Sequence, residues 1–409
     1  MPHCLRHLVL GSVILLGWAL PESLQKKGAA IAQVVIPDTN SSSTTNTLVG
    51  DTGTFVITGG TQRLNTLFHS FTDFSPESQN VLFQLNNSQQ AIEQVISRVT
   101  GTNSSFIDAQ LALTGGNTPD LYLINPHGIT FGANSSLSLP GSFTASTAET
   151  VLFEQGHSFS AIAPNSAPLL TVSTPTGLQF GNSPAAIALD RARLAVASTE
   201  SLTLLGGNVV MTDGSLRAPG GHISLGGLSE AGIASTKGAA VTLSGERSNV
   251  TLNNTARVNV SAEQSGQIDV LAHNIQLLDG SRLQANIVAG GNLPTTAGGN
   301  ITLNATGDTT LAAASAIQSE VKAGAVGQGG NINVTTQNLS LLENAQIIAG
   351  TNSTGTAGDV NIAASELILI SGSSGGRQGR SAIFNNPSRS SNGQGGNISI
   401  TANNLLIAD

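Results

Sequence analysis

The hexapeptide GGNITL, from Gly298 to Leu303, decides the fold because close copies of it recur through the second half of the chain. Each copy is a glycine pair, one polar residue and a short alternation of apolar and polar side chains. Alternation with a period of two predicts a half-buried β-strand. Full copies begin at Gly206, Gly220, Gly298, Gly329 and Gly395, and weaker copies begin at Gly266 and Gly358.

A second apolar element follows many copies, as in NIQLLDGSRLQA after His273, NLSLLENAQIIA after Gln337 and ELILISGSSG after Ser365. Full units are spaced by roughly 28 to 38 residues, which is typical of a coil with three short strands and one variable loop. One coil cannot bury its apolar face alone, so successive coils must stack. We therefore predict an all-β, right-handed parallel β-helix with sharp glycine corners and an axial ladder of asparagines, Asn300, Asn331 and Asn397.

Composition agrees with a solenoid and argues against several classes of protein. Of 409 residues, only 10% are charged and 3% are aromatic, whereas 47 are glycine. The net charge of −8, without a cluster of Lys or Arg, argues against a nucleic-acid-binding surface. The only cysteine is Cys4, so the chain beyond the leader has neither a disulfide nor a thiol nucleophile.

Residues 1–32 are predicted to be a secretory signal, with a basic start at Arg6 and an apolar run from Leu8 to Leu20. The small-residue site Ala30-Ile31-Ala32 predicts cleavage between Ala32 and Gln33, and cleavage after Ala19 is the alternative. No other segment is expected to form a transmembrane helix.

The pentapeptide Asn125-Pro126-His127-Gly128-Ile129 is predicted to be a tight turn between two strands. Asn-Pro starts turns because proline fixes φ and asparagine bonds to its own backbone, and Gly128 permits a positive φ. Upstream, Ala91 to Val99 could form either a helical turn or a strand, since its apolar residues fit both periods.

Five segments in the first half of the chain resemble the N-terminal secretion domain of the filamentous haemagglutinin family, the exported partner in two-partner secretion. They are LFHSFTDF (Leu67–Phe74), ISRVTG (Ile96–Gly101), LYLINPHGITFG (Leu121–Gly132), GSFTASTA (Gly141–Ala148) and LLTVSTPTGLQFG (Leu169–Gly181). The prolines between Pro164 and Pro184 mark the end of this region. The expected domains are the signal at 1–32, the secretion domain at 33–185, which caps the solenoid, and β-helix repeats at 186–409.

The resemblance implies a Sec signal, a periplasmic passage in the unfolded state and folding outside the cell. It implies recognition by the periplasmic docking domains of an outer-membrane β-barrel transporter. It also implies a secreted or cell-surface protein that acts in adhesion, with glycans or proteins on host or neighbouring cells as further partners and no nucleic acid. The transporter-recognition residues would be Asn125, Pro126, His127, Gly128 and Ile129.

Two departures from the family pattern accompany this resemblance. The family motif is Asn-Pro-Asn-Gly-Ile, so His127 replaces an asparagine. A second family motif, Asn-Pro-Asn-Leu, is not present, and Asn86-Asn87-Ser88 is its nearest equivalent.

Enzyme motifs are not found: the sequence has no HExxH, CxxC or Walker loop. Five histidines are assigned to separate β-turns, and the acidic residues are assigned to turns too, so we expect no catalytic residue, cofactor or metal. The histidines are His69, His127, His157, His222 and His273. Two alternatives remain, a glycan-acting β-helix enzyme and a carrier of a missing C-terminal toxin. The chain stops at Asp409 within a repeat, which predicts a shortened version of a longer protein.

Overall fold

Alternating apolar and polar residues build three stacks of parallel strands around one apolar interior. The computed structural model describes residues 34–39, 46–51, 53–86, 89, 91–164, 174–237, 240–290, 296–372, 380–385 and 392–408. The predicted secretory signal and its cleavage site between Ala32 and Gln33 lie outside these residues. Ala91–Val99, which was open between helix and strand, contains the strand Gln94–Val99. The parallel β-helix predicted from the repeats is confirmed.

Each coil contributes one strand to each of three faces, which we call the first, second and third faces in chain order. Strands of the first face are Thr66–Ser75, Gln94–Val99, Asp120–Ile124, Phe143–Ser146, Ser201–Gly206, His222–Gly227, Gln267–Ala272, Ile301–Ala305 and Ile398–Thr401. Strands of the second face are Ser105–Ile107, Ile129–Phe131, Ile187–Asp190, Val209–Thr212, Val250–Asn253, Ile275–Leu277, Thr309–Leu311 and Asn404–Ala408. Two long strands, Ile332–Leu342 and Val360–Ser371, run through both faces and join them; together with Val34–Pro37 and Thr61–Arg63 they form one 21-stranded sheet.

The third face is formed by two sheets that follow one another along the axis. The N-terminal sheet contains Thr47–Asp51, Phe55–Gly59, Val81–Gln84, Gln110–Thr114 and Ser136–Ser138, and only the first of these strands is antiparallel to its neighbour. The second contains Arg193–Ala195, Ser215–Arg217, Arg257–Asn259, Arg282–Gln284, Ala316–Val321, Gln346–Thr351 and Ala382–Phe384. A short pair outside the coils joins Thr296–Ala297 to Gly327–Gln328.

Inward side chains stack on their equivalents in the next coil and form the core. One such column begins at Leu67 and continues through Val95, Leu121, Phe143, Leu202, Ile223, Ile268, Ile301, Ile332 and Val360. Every one of these side chains is buried. Burial of apolar area in each coil is the main stabilising contribution, and it repeats along the axis.

Most of the glycine pairs lie at the corner between the third and first faces, whereas Gly206-Gly207 lies between the first and second faces. A Cβ atom added to Gly299 would lie 1.8 Å from the carbonyl oxygen of Gly266, and one added to Gly266 would lie 1.8 Å from that of Gly221. The second glycine of a pair is therefore required because successive coils approach closely there. Sharp turning is a lesser reason, since among the described repeat pairs only Gly220 has a positive φ, of 67°.

The predicted asparagine ladder is confirmed, with one aspartate included. The side-chain oxygen of Asn300 accepts the N–H of Asn331 at 2.9 Å, and that of Asn331 accepts the N–H of Asp359 at 2.8 Å. Asp359 then accepts the N–H of Asn397 at 2.7 Å. Each side chain satisfies a backbone donor of the next coil, which fixes the register between coils.

An antiparallel sheet, which we call the outer sheet, covers part of the first face. Its strands are Thr150–Phe153, Ser158–Ser160, Pro175–Phe180, Gly232–Ser235 and Thr242–Ser244, and a 3₁₀ turn, Glu154–Gly156, joins the first two. Its apolar side packs on Phe68, Ile96 and Ile124, the outward side chains of the first face. Because both sides are covered, the strand Gln94–Val99 is buried at every position.

The N-terminal end of the solenoid is capped by antiparallel strands. Val34–Pro37 and Thr61–Arg63 both pair with Thr66–Ser75. The predicted domain boundary after residue 185 stays a prediction, and strands on its two sides, Phe143–Ser146 and Ser201–Gly206, pair with each other.

Candidate functional site

The predicted turn Asn125–Ile129 lies at the corner between the first and second faces. It joins Asp120–Ile124 to Ile129–Phe131, and each of these strands has a parallel neighbour on both sides. The turn therefore belongs to an inner coil of the solenoid.

Asn125 is the centre of the turn and is completely buried. Its Nδ2 donates to the carbonyl oxygen of Asn103 and to Oγ of Ser105, both at 3.0 Å. Its Oδ1 accepts the backbone N–H of His127 at 2.9 Å. One amide thus closes the turn and connects it to the preceding coil, as an asparagine in an Asx-turn can do.

Backbone hydrogen bonds extend the connection to both neighbouring coils. The N–H of Asn125 donates to Ser146 at 2.9 Å, and the carbonyl oxygen of Gly128 accepts the N–H of Ser105 at 2.9 Å. Gly128 has a φ of 111°, which is unfavourable for any residue with a side chain. The sequence prediction of a positive φ at Gly128 is confirmed.

Burial divides the five candidate residues into two groups. Asn125, Gly128 and Ile129 are buried, whereas Pro126 is half-buried and His127 is exposed. Only the backbone N–H of His127 takes part in the turn. Replacement of the family's asparagine by histidine therefore alters a solvent-facing side chain and leaves the bonding within the turn unchanged.

A buried arginine, which the sequence did not identify, connects the outer sheet to the first face. Arg98 donates from Nε to Oγ of Ser70 at 3.0 Å and from Nη1 to the carbonyl oxygen of Ser160 at 2.6 Å. Its guanidinium lies 4.0 Å from the ring centroid of Phe159. Burial lowers the pKa of Arg98 to about 10, while the negative charge of Asp38 acts in the opposite direction.

His69 was assigned to a turn, and this assignment is wrong. It lies in the strand Thr66–Ser75 and is buried beside the rings of Phe71 and Phe83. Its Nδ1 is 3.2 Å from Oγ1 of Thr47. Burial lowers the pKa of His69 to about 3, so the ring is neutral in the folded protein at physiological pH.

His222 was also assigned to an isolated turn, but it begins a strand and contacts an acidic residue of the next coil. Its Nε2 lies 2.7 Å from Oδ2 of Asp269 and 3.3 Å from Oγ of Ser224. A catalytic triad needs the carboxylate and the hydroxyl on opposite ring nitrogens. Here both are on one nitrogen, so the arrangement links coils and does not form a triad.

Along the described ranges, no helix has the length and apolar character needed to cross a bilayer. The same residues contain no cluster of three or more His, Cys, Asp or Glu side chains arranged to hold a metal ion.

Known proteins share both the sequence pattern and the fold. A family model described as the TPS secretion domain matches residues 33–270, more than half of the 409-residue chain and further than the predicted boundary at 185. The HMW1 secretion domain from Haemophilus influenzae is 17% identical, with a TM-score of 0.55, covering 91% of this chain and 98% of its own. This likeness supports the parallel β-helix.

The filamentous hemagglutinin secretion domain is 12% identical, with a TM-score of 0.41, over 90% of this chain and 100% of its own. No curated protein sequence matches the chain. A TPS secretion domain implies export across the outer membrane through a cognate transporter. From the match over residues 33–270, this chain belongs to the TPS secretion domain family, the exported partners of two-partner secretion.

Proposed function

We propose that the chain acts outside the cell as an adhesive surface protein, which its secretion domain delivers there. The observation that supports adhesion is the in-register repetition of outward polar side chains along the solenoid. Stacked coils with this property form an extended binding surface in which a polar side chain recurs at each coil.

One outward column on the first face shows the pattern. It contains Thr144, Thr203, Ser224, Asp269, Thr302, Asn333, Asn361 and Ser399, of which Ser224 alone is buried. Neighbouring parallel strands are about 4.8 Å apart, so the spacing of side chains in the column is close to the length of one monomer in a linear biopolymer. A test of adhesion uses the purified chain from Gln33 to Asp409 on immobilised cells. Retention no greater than that of a β-helix enzyme of similar charge would contradict the proposal.

For the route out of the cell, we propose the steps that the family implies. Residues 1–32 direct the chain to the Sec machinery and are removed between Ala32 and Gln33. Periplasmic docking domains of an outer-membrane β-barrel transporter then receive the chain. N-terminal sequencing of the secreted protein tests the cleavage site, and a first residue of Leu20 would support the alternative site after Ala19.

We also propose that the turn Asn125–Ile129 is required for export. Asn125→Ala removes three hydrogen bonds of a buried amide, whereas His127→Ala removes an exposed side chain. In cells that contain the cognate transporter, we expect Asn125→Ala to reduce the secreted fraction at least tenfold and His127→Ala to leave it within twofold. Equal secretion of wild type and Asn125→Ala would contradict a role for the turn.

A further inference from the structure

We infer that four arginines on the third face form a binding site for a linear anionic glycan. This inference rests on the proposed adhesive function and assigns that function a ligand class. The four are Arg193, Arg217, Arg257 and Arg282, which we call the arginine stripe. They come from four successive strands of one parallel sheet, Arg193–Ala195, Ser215–Arg217, Arg257–Asn259 and Arg282–Gln284.

The register places the arginines in two adjacent columns. Arg193, Ser215, Arg257 and Arg282 follow one another in the first column, and Arg217 lies beside Ser215 in the second, level with Asn259. Strands in a sheet are about 4.8 Å apart, so the stripe extends for about 14 Å along the axis with one cation for each coil.

The guanidinium groups of the stripe have no close partner within the described part of the protein. Arg193, Arg217 and Arg257 are exposed, and Arg282 is half-buried. Across the described ranges, their guanidinium groups make no ion pair and no hydrogen bond. Arg257 and Arg282 are directly in register, where like charges repel each other.

The repulsion between these arginines points to a ligand, because the fold itself does not need charged residues at these positions. The whole chain has 16 Lys and Arg against 24 Asp and Glu, yet four of the arginines share one sheet face. Guanidinium groups bind carboxylate and sulfate with paired hydrogen bonds, and an anion would relieve the repulsion. The spacing along the axis fits a ligand that carries anionic groups in a row.

Polar neighbours favour a glycan over other polyanions. Asn259 and Gln284 flank the stripe, and Gln284 donates to Gln318 at 2.8 Å, so amides that can bond sugar hydroxyls continue the surface. At the corner between the second and third faces, a shallow groove is lined by Asp190, Asp213 and Asp279. Their carboxylates oppose the dense phosphates of nucleic acid but can accept hydrogen bonds from hydroxyls.

Two further properties argue against nucleic acid. None of the four strands of the stripe contains an aromatic residue on which a base could stack. The net charge of −8 also repels a densely charged backbone. A glycan with about one carboxylate or sulfate for each sugar has the lower charge density that this surface accommodates.

The test measures binding of the purified chain, Gln33 to Asp409, to a labelled galacturonate octasaccharide and to a sulfated octasaccharide by fluorescence polarisation. The stripe variant is Arg217→Gln/Arg257→Gln/Arg282→Gln. The control variant, Arg63→Gln/Lys237→Gln/Arg380→Gln, has the same change in net charge at positions off the stripe. Neutral maltooctaose, a short DNA duplex and vesicles of anionic lipid serve as competitors.

We expect an anionic octasaccharide to bind the wild type and the control variant, and to bind the stripe variant at least tenfold more weakly. We expect added salt to weaken the wild-type complex, because exposed charges are screened. The melting temperature of the stripe variant should equal or exceed that of the wild type, since like charges have been removed. This readout separates loss of binding from loss of folding.

Several results would overturn the inference: no binding of either anionic octasaccharide, equal binding by the stripe variant, or stronger competition by DNA or vesicles than by glycan. Cell adhesion is measured in parallel. If the stripe variant adheres to cells as the wild type does, the site is wrong and adhesion stands. If the wild type does not adhere, the proposed function itself fails.

Discussion

The buried, neutral His69 predicts that the protein loses stability in mildly acidic solution. An unperturbed histidine has a pKa of about 6.5, whereas burial lowers that of folded His69 to about 3. A base with a lowered pKa binds protons more readily when the chain is unfolded. The contribution of His69 is therefore complete above pH 6.5 and declines as the pH falls from about 6.5 toward 3.

The size of this effect follows from proton uptake. Between pH 7 and pH 5, the unfolded chain gains most of one proton at residue 69, and the folded chain gains almost none. The free energy of unfolding should fall by about 2 kcal/mol over this interval because of His69 alone. A protonated His69 would be poorly stabilised in the folded protein, because its ring lies against the aromatic rings of Phe71 and Phe83.

Urea unfolding followed by far-UV circular dichroism, at pH 7, 6 and 5, measures the effect. The matched variant is His69→Gln, which keeps a polar group near Thr47 but does not titrate. We expect the variant to be less stable than the wild type at pH 7 and to lose about 2 kcal/mol less between pH 7 and pH 5. Comparison with the variant removes the contributions of other histidines and carboxylates. Parallel pH profiles for the two proteins would refute the reasoning.

Two further substitutions test the packing of the solenoid. Arg98→Met should destabilise the protein by about 3–5 kcal/mol, because it removes two buried hydrogen bonds and the positive charge that acts on buried Asp38. Hydrogen exchange should show the largest loss of protection in the outer sheet. Arg63→Met is the control, and equal exchange in both variants would exclude a linking role for Arg98. Gly299→Ala places a Cβ atom 1.8 Å from the carbonyl oxygen of Gly266, so it should lower the free energy of unfolding in urea by about 1–3 kcal/mol. The control, Gly214→Ala, should lower it by less, because the equivalent positions in adjacent coils already hold alanine. Equal losses of stability in the two variants would contradict the close-approach explanation.

The repeating coil could be predicted from sequence because its determinants are local. Alternation in GGNITL and its copies predicts a short strand, and four of the five full copies also contain the asparagine that precedes the strand. The role of the glycine pairs was harder to predict from the sequence. It depends on the distance between coils, as at Gly266 and Gly299, and that distance becomes known only when the coils are stacked.

The outer sheet and its buried arginine could not be predicted for a different reason. Phe68, Ile96 and Ile124 read as ordinary strand residues, and nothing local shows that their outward side is covered. Arg98 contacts Ser160, which is 62 residues away. One clue was present: an arginine within the apolar run ISRV is costly to bury without partners, and so it indicates a specific partner elsewhere in the chain.

Long-range register explains the two histidine assignments that were wrong. Polar residues are common at turns, which made turns the reasonable prediction for His69 and His222. His222 reaches Asp269 because their strands are adjacent in the first face, although 47 residues separate them. The same register creates the arginine stripe, whose members look unremarkable when they are read one by one along the sequence.

The burial pattern within Asn125–Ile129 limits how a transporter could use this turn. A partner that meets the folded domain can touch Pro126 and His127, but it cannot reach the side chain of Asn125. A strong export defect in Asn125→Ala together with normal export of His127→Ala therefore points away from recognition of the folded turn. The requirement would then lie in the unfolded chain or in folding outside the cell, where two side-chain bonds of Asn125 join the turn to the preceding coil and a third closes the turn. A refolding experiment on purified Asn125→Ala separates these two cases: slow or incomplete refolding indicates the second, and normal refolding indicates the first.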